Sequence, residues 1–282
     1  MIRKTETKTA EEEHSNMNRI TCGISITTLL VCAASAQTDD GKCPAVSFGT
    51  FPYTTKRFYF FSSPGTPAGQ AKHLDSYAPD DFPPCSEVWI EDPRGYPSLK
   101  KGPRYMFAAK NIVRVYNVSA VTRAPYKTIQ SHLKHLRELL KKRPIKVPSG
   151  EFRNGEYAEL EQLPDYPPRN AGHLLQVKMH YLDAPWGSGL FYVTQFTQGP
   201  GDCPDNEELR YLFQGLSKDE TFYVAADFRI THPSLAHAKA ADEREAEVLT
   251  ESVAEKMATD RDDAFTPSLQ KIREWLYTLE IQ

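Results

Sequence analysis

His132 and His135 stand three residues apart in a lysine-rich stretch, the spacing at which one helical turn could present two imidazoles to a metal ion. No third ligand follows at helical spacing and the flanking lysines repel a cation, so the pair reads as a solvated helix face. No metal and no other cofactor is expected. His180, inside an alternating strand, and His232, before Pro233 at a strand end, read as structural histidines rather than bases. Ser188 lies between glycines, but Trp186-Gly-Ser-Gly-Leu190 is not a Gly-x-Ser-x-Gly elbow and falls in a hairpin instead of a strand-to-helix turn. Ser98-Leu-Lys-Lys101 fits Ser-x-x-Lys, a spacing that two fixed residues reach by chance. Asp202, Asp205, Glu207 and Glu208 lack the order of a calcium loop. Neither a Gly-rich phosphate loop nor a paired-carboxylate motif occurs, and no catalytic residue is assigned.

Charge is the feature with functional scale. Residues 94–153 hold fifteen Lys or Arg against two acids, Glu138 and Glu151, while the chain as a whole carries a formal charge of −3. The remainder is therefore acidic, most visibly over 202–263. Such asymmetry concerns partners, not fold. Lys134, Arg137, Lys141, Lys142 and Arg143 form the densest cluster, and we take them as candidate binding residues. Trp186, at a hairpin tip, joins them: an exposed indole there docks on a sugar or partner, or else folds back over its turn. An open basic face would attract an anionic surface or an acidic protein. The alternative is neutralisation by the acidic helical stretch 240–263. Nucleic acid is not expected as a partner.

Residues 17–36, MNRITCGISITTLLVCAASA, supply an address. A short polar start with Arg19, an apolar run and Ala34-Ser35-Ala36 make a secretory signal peptide cleaved after Ala36. Residues 1–16 read as a polar upstream start. The apolar run is short of the roughly 20 residues of a membrane span, and no later segment approaches one. Val31 before Cys32 argues against a lipoprotein anchor. The mature chain, 37–282, is expected to be periplasmic or extracellular, where Cys43, Cys85 and Cys203 permit one disulfide of open pairing and leave one thiol over.

These residues need elements to hold them. Aromatic alternation over 45–62 predicts one or two strands, Glu87–Ile90 a short one, and Ile112–Val118 another. Pro125 opens a helix whose Ile129, Leu133, Leu136 and Leu140 recur at helical spacing until Arg143-Pro144. Two hairpins follow, 174–182 with 190–198 and 209–215 with 221–230, the first with glycines to supply its turn backbone. Residues 236–258 and 267–279 predict two more helices. Long loops are expected near 63–86 and 146–172. Strands, helix, hairpins and helices in that order predict a single α+β domain, an antiparallel sheet built from consecutive hairpins with helices packed over it.

The runs Leu190-Phe-Tyr-Val-Thr-Gln-Phe-Thr-Gln198, Phe213-Gln-Gly-Leu-Ser217 and His232-Pro-Ser-Leu235 resemble a family of exported bacterial proteins, many of them lipoproteins, without established activity. The missing lipobox and the charged segment 236–263 depart from that pattern. The order of helix, paired hairpins and closing helix is also similar to the Mog1/PsbP-like fold, which implies an assembly or stabilising role. The expectation is a non-enzymatic exported protein that binds a partner or surface through 94–153. The alternatives are an envelope-polymer hydrolase with its site in the long loops, and a stabilising subunit of an envelope complex.

Overall fold

The computed structural model describes residues 43–49, 58–63, 85–90, 111–122, 127–143, 171–197, 199, 201–235, 240 and 242–282. The signal peptide, Pro125, and most of the expected loops 63–86 and 146–172 lie outside these residues, as do the basic stretches 94–110 and 144–153. The strands are β1 (Val46–Ser47), β2 (Phe58–Ser63), β3 (Cys85–Ile90), β4 (Asn111–Asn117), β5 (Gly172–Asp183), β6 (Gly187–Thr197), β7 (Arg210–Ser217), β8 (Phe222–Arg229) and β9 (Glu280–Ile281). The helices are α1 (Val118–Val121), α2 (Lys127–Lys141), α3 (Glu243–Thr259) and α4 (Leu269–Tyr277).

Strands β2 to β8 form one antiparallel sheet of seven strands, in the order β2-β3-β4-β8-β7-β6-β5. β5 to β8 are joined consecutively, and β8 at the end of that meander pairs with β4, which brings in β3 and β2. The fold is thus the expected α+β arrangement of hairpins under helices.

Period-two alternation sorts the core into two faces. Val88, Val113, Val115, Phe191, Val193, Tyr211, Phe213, Val224 and Phe228 point to one face, where Val253 and Met257 of α3 and Leu269, Ile272 and Trp275 of α4 cover them. Tyr116, Tyr223, Ala225 and Leu216 point to the other, under Leu133 and Leu136 of α2. Helices α2 and α3 therefore lie on opposite faces of the sheet.

Asp242 caps α3, its carboxylate accepting the Glu245 amide at 2.9 Å. After α4 the chain pairs β9 with β1, Val46 opposite Ile281, and Phe48 stacks on Trp275 with ring centroids 4.3 Å apart. This closing strand was not expected, because two residues carry no readable alternation. The glycines of the first hairpin also differ from expectation. Ala184 N–H and Gly187 N–H bond reciprocally to each other's carbonyls, so Pro185-Trp186 is the loop, and neither Gly187 nor Gly189 has positive φ. They are needed for room. A Cβ on Gly187 would sit 2.0 Å from the Leu216 carbonyl oxygen, and one on Gly189 2.3 Å from the Phe213 ring.

Candidate functional site

Helix α2 buries Leu133 and Leu136 and so turns Lys134, Lys141 and Lys142 to solvent, where all three are exposed. Arg137 and Arg143 project toward the β5–β6 and β7–β8 turns. Between helix and turns runs a cleft of about 390 Å³, with Arg137, Lys141, Lys218, Asp183, Ser188 and Glu220 on its polar wall. Cations from two elements and acids from two turns meet there.

Each arginine meets an acid. Arg137 Nε donates to Glu220 Oε2 at 2.7 Å, with 32 % and 50 % of the two side chains exposed. Arg143 Nη1 reaches both oxygens of Asp183 at 2.7 Å, and its guanidinium lies 4.6 Å over the Tyr181 ring. Both are surface pairs, each worth about 0–1 kcal/mol, and an incoming anion could displace them. Glu220 holds its place at φ +55°, a left-handed backbone that strains a residue with a Cβ. The turn before it is fixed by Asp219, whose carboxylate accepts Ser217 Oγ at 2.6 Å and the Thr221 amide at 3.1 Å; these bonds hold its pKa at about 2.

Two alternatives that the sequence leaves open are decided here. The acidic stretch 240–263 does not neutralise α2: it lies across the sheet, and the acids that meet Arg137 and Arg143 come from the hairpin turns. Trp186 is not a docking aromatic at an open tip. Its Nε1–H donates to the Leu276 carbonyl at 3.0 Å, and its ring packs edge-on against Phe213, so the indole folds back onto the face under α4. The amphipathic ring gains both burial and a hydrogen bond there.

A second polar cluster, missed in the sequence, forms where β5 meets the end of α3. A bulge between Val177 and His180 breaks the β5–β6 register and sets Lys178 at φ +57°. Lys178 Nζ then donates to the Asp260 carbonyl at the α3 C-terminus, a favourable position for a cation. Asp260 also takes Lys256 Nζ, which holds its carboxyl below the usual range. Its Oδ2 lies 3.2 Å from Nε2 of the buried His232. His232 Nδ1 accepts the Ser234 amide at 3.3 Å and faces Ser234 Oγ at 2.7 Å; Nδ1 being an acceptor, the ring proton is on Nε2, toward Asp260. Burial pushes the His232 pKa down, with Asp260 opposing. Beyond lie Asp262, paired with Arg273, and Tyr211, whose hydroxyl takes Arg273 Nη1 at 2.9 Å. The one signal of this cluster in the sequence was His232 before Pro233; a bulge leaves none.

The remaining candidates do not assemble. His180 is exposed and held below its ordinary pKa by partial burial and by Arg273, while Asp183 faces Arg143 at the far turn. Asp205 accepts the amides of Glu207 and Glu208 at 2.7 and 2.8 Å, and Asp202 accepts Thr197 Oγ1 at 2.6 Å. Among the described residues no three His, Cys, Asp or Glu side chains gather around a metal position, no disulfide joins Cys43, Cys85 or Cys203, and no helix is long and apolar enough to cross a membrane. No family model, no curated protein and no solved structure matches this chain.

Proposed function

We propose that this chain is an exported, non-enzymatic accessory protein that binds an anionic partner, a surface or an acidic protein, along the outer face of α2 and the cleft beside it. The observation that carries the reading is the convergence of Arg137, Lys141 and Lys218 on a cleft flanked by the exposed Lys134 and Lys142. The acids opposite them sit at the surface, where such ion pairs are cheap to displace. The test is cross-linking in the native host, with a variant in which Lys134, Arg137, Lys141 and Lys142 become Gln. A partner captured by the wild type and lost in the variant supports the reading; identical cross-links overturn it. Charge-driven capture also weakens steeply between low and moderate salt.

A second reading, hydrolysis of an envelope polymer, is favoured by one observation: Ser234, His232 and Asp260 form a hydroxyl–imidazole–carboxylate chain of the kind that activates a nucleophile. A fluorophosphonate probe tests it. Attack by Ser234 Oγ would form the O–P bond, expel fluoride and pass the hydroxyl proton to His232 Nδ1. Labelling that disappears in Ser234→Ala supports a hydrolase. An unlabelled wild type leaves the cluster as an anchor for the end of α3.

A further inference from the structure

We infer that Cys43 and Cys85 are the disulfide pair of this chain, formed when it meets a disulfide oxidant and tying the segment that carries β1 to the main sheet. The sheet register excludes Cys203 as the partner of Cys85. Cys85 stands level with Tyr116, Tyr223, Leu216 and Ser188 across β4, β8, β7 and β6. It is therefore at the end of the sheet that holds the β5–β6 and β7–β8 turns. Cys203 follows β6, at the opposite end, and β6 is 11 residues long, on the order of 30 Å at about 3.3 Å per residue. A disulfide needs Cα atoms within about 7 Å. Cys43 instead arrives beside Cys85: the next residue, Pro44, accepts a hydrogen bond from Ser86 Oγ at 2.5 Å through its carbonyl, so 43–44 and 85–86 run together.

The surroundings divide the roles of the two thiols. Cys85 is 1 % exposed, and burial, then the Glu87 carboxylate, raise its pKa, with a further contribution from the nearby Cys43. The half-buried Cys43 is the thiol that meets the oxidant. Its thiolate attacks one sulfur of a disulfide such as oxidised glutathione and releases one glutathione thiol. The Cys85 sulfur, with Glu87 Oε1 3.7 Å away, then displaces the second, and the Cys85 proton leaves with that glutathione as its thiol. Two protein thiols are oxidised to one disulfide, and one glutathione disulfide is reduced to two thiols.

The bond would fasten 43–49 at a second point. That segment is otherwise held by β9 and by Phe48 on Trp275, so the pair would lock the N-terminal and C-terminal segments of the described fold to β3. This does not depend on the binding reading above.

The test is peptide mapping of the full chain after equilibration with oxidised glutathione, denaturation and alkylation of remaining thiols. Trypsin releases Cys43 in 43–56 and Cys85 in 73–94. The expected result is these two peptides joined, separated by reduction, with Cys203 alkylated; the link persists in Cys203→Ser and is lost in Cys43→Ser. Recovery of 73–94 with Cys85 alkylated, or joined to any other cysteine, overturns the pairing.

Discussion

At the scale of the residue, what decides whether this sheet tolerates change is how its buried charges and its glycines are matched. Arg114 and Glu87 face each other across β3 and β4, Nε to Oε1 at 3.0 Å, with 6 % and 12 % of the side chains exposed. Burial works against the guanidinium, but Glu87, helped by Tyr116 and Cys85, outweighs it and holds its pKa above the ordinary value, so it stays charged. Replacing a buried pair by apolar residues is often neutral, but removing one partner strands the other. We expect Arg114→Ala to cost about 3–5 kcal/mol, measured as a lowered urea midpoint, and Glu87→Leu combined with Arg114→Leu to recover much of it. Gly215 stands opposite Gly189, with the Phe213 ring over both; a Cβ on Gly215 would lie 2.5 Å from that ring. Gly215→Ala should therefore cost about 1–3 kcal/mol through overpacking, and pairing it with Phe213→Leu should reduce the penalty. The role of Gly215 as a close-approach residue was legible in the sequence, because glycine inside an alternating strand signals missing room. That the Phe213 ring also fills the room at Gly189 was not, since this depends on the register of a neighbouring strand.

At the scale of the element, helix α2 and the β7–β8 turn share one device. Glu220 adopts positive φ yet directs its carboxylate at Arg137, spending backbone strain to hold a guanidinium at the cleft. Glu220→Gln should release Arg137 for an anion. On the binding reading, retention on an immobilised polyanion then shifts to higher salt, whereas unchanged retention would show that Arg137 takes no part. Glu220→Gly relieves the left-handed strain as well, and should raise the melting temperature by a few degrees, about 1 kcal/mol. Element identities were the most legible part of this chain. Helical spacing of Leu133, Leu136 and Leu140 and alternation over 222–230 depend only on which face is buried, and both hairpins emerged within a few residues of their ends. Which face of the sheet each helix covers was not legible. Neutralisation of the basic α2 by the acidic α3 stayed open as an alternative because their charges are complementary, but apolar stripes, not surface charge, decide docking. Trp186 was left between docking and folding back for a related reason: at a turn, the side a ring folds toward is set by a carbonyl of α4 ninety residues on.

At the scale of the whole molecule, the sheet divides the protein into a basic side under α2 and a densely paired side under α3 and α4, and acid should act mainly through the second. His232 is 1 % exposed, and burial holds its pKa below the ordinary value while Asp260 opposes. An unfolded His takes up its proton near pH 6.5; a folded imidazole with a lowered pKa does not. Below about pH 6.5 the unfolded chain thus binds more protons than the folded one, and stability falls with pH until the folded pKa is reached. His135 and His180 are depressed by the same cause and add with the same sign. Asp260, held low by Lys256, contributes stability that is lost only at more acid pH. The melting temperature should therefore be lower at pH 5.5 than at pH 7.5. In His232→Gln the starting value is lower but the drop is smaller, because one titrating group has gone. An equal drop in the variant would assign the effect to the other histidines. A wild type that melts higher at pH 5.5 would mean that His232 is charged in the fold and paired with Asp260, and that the carboxylate outweighs burial at the end of α3.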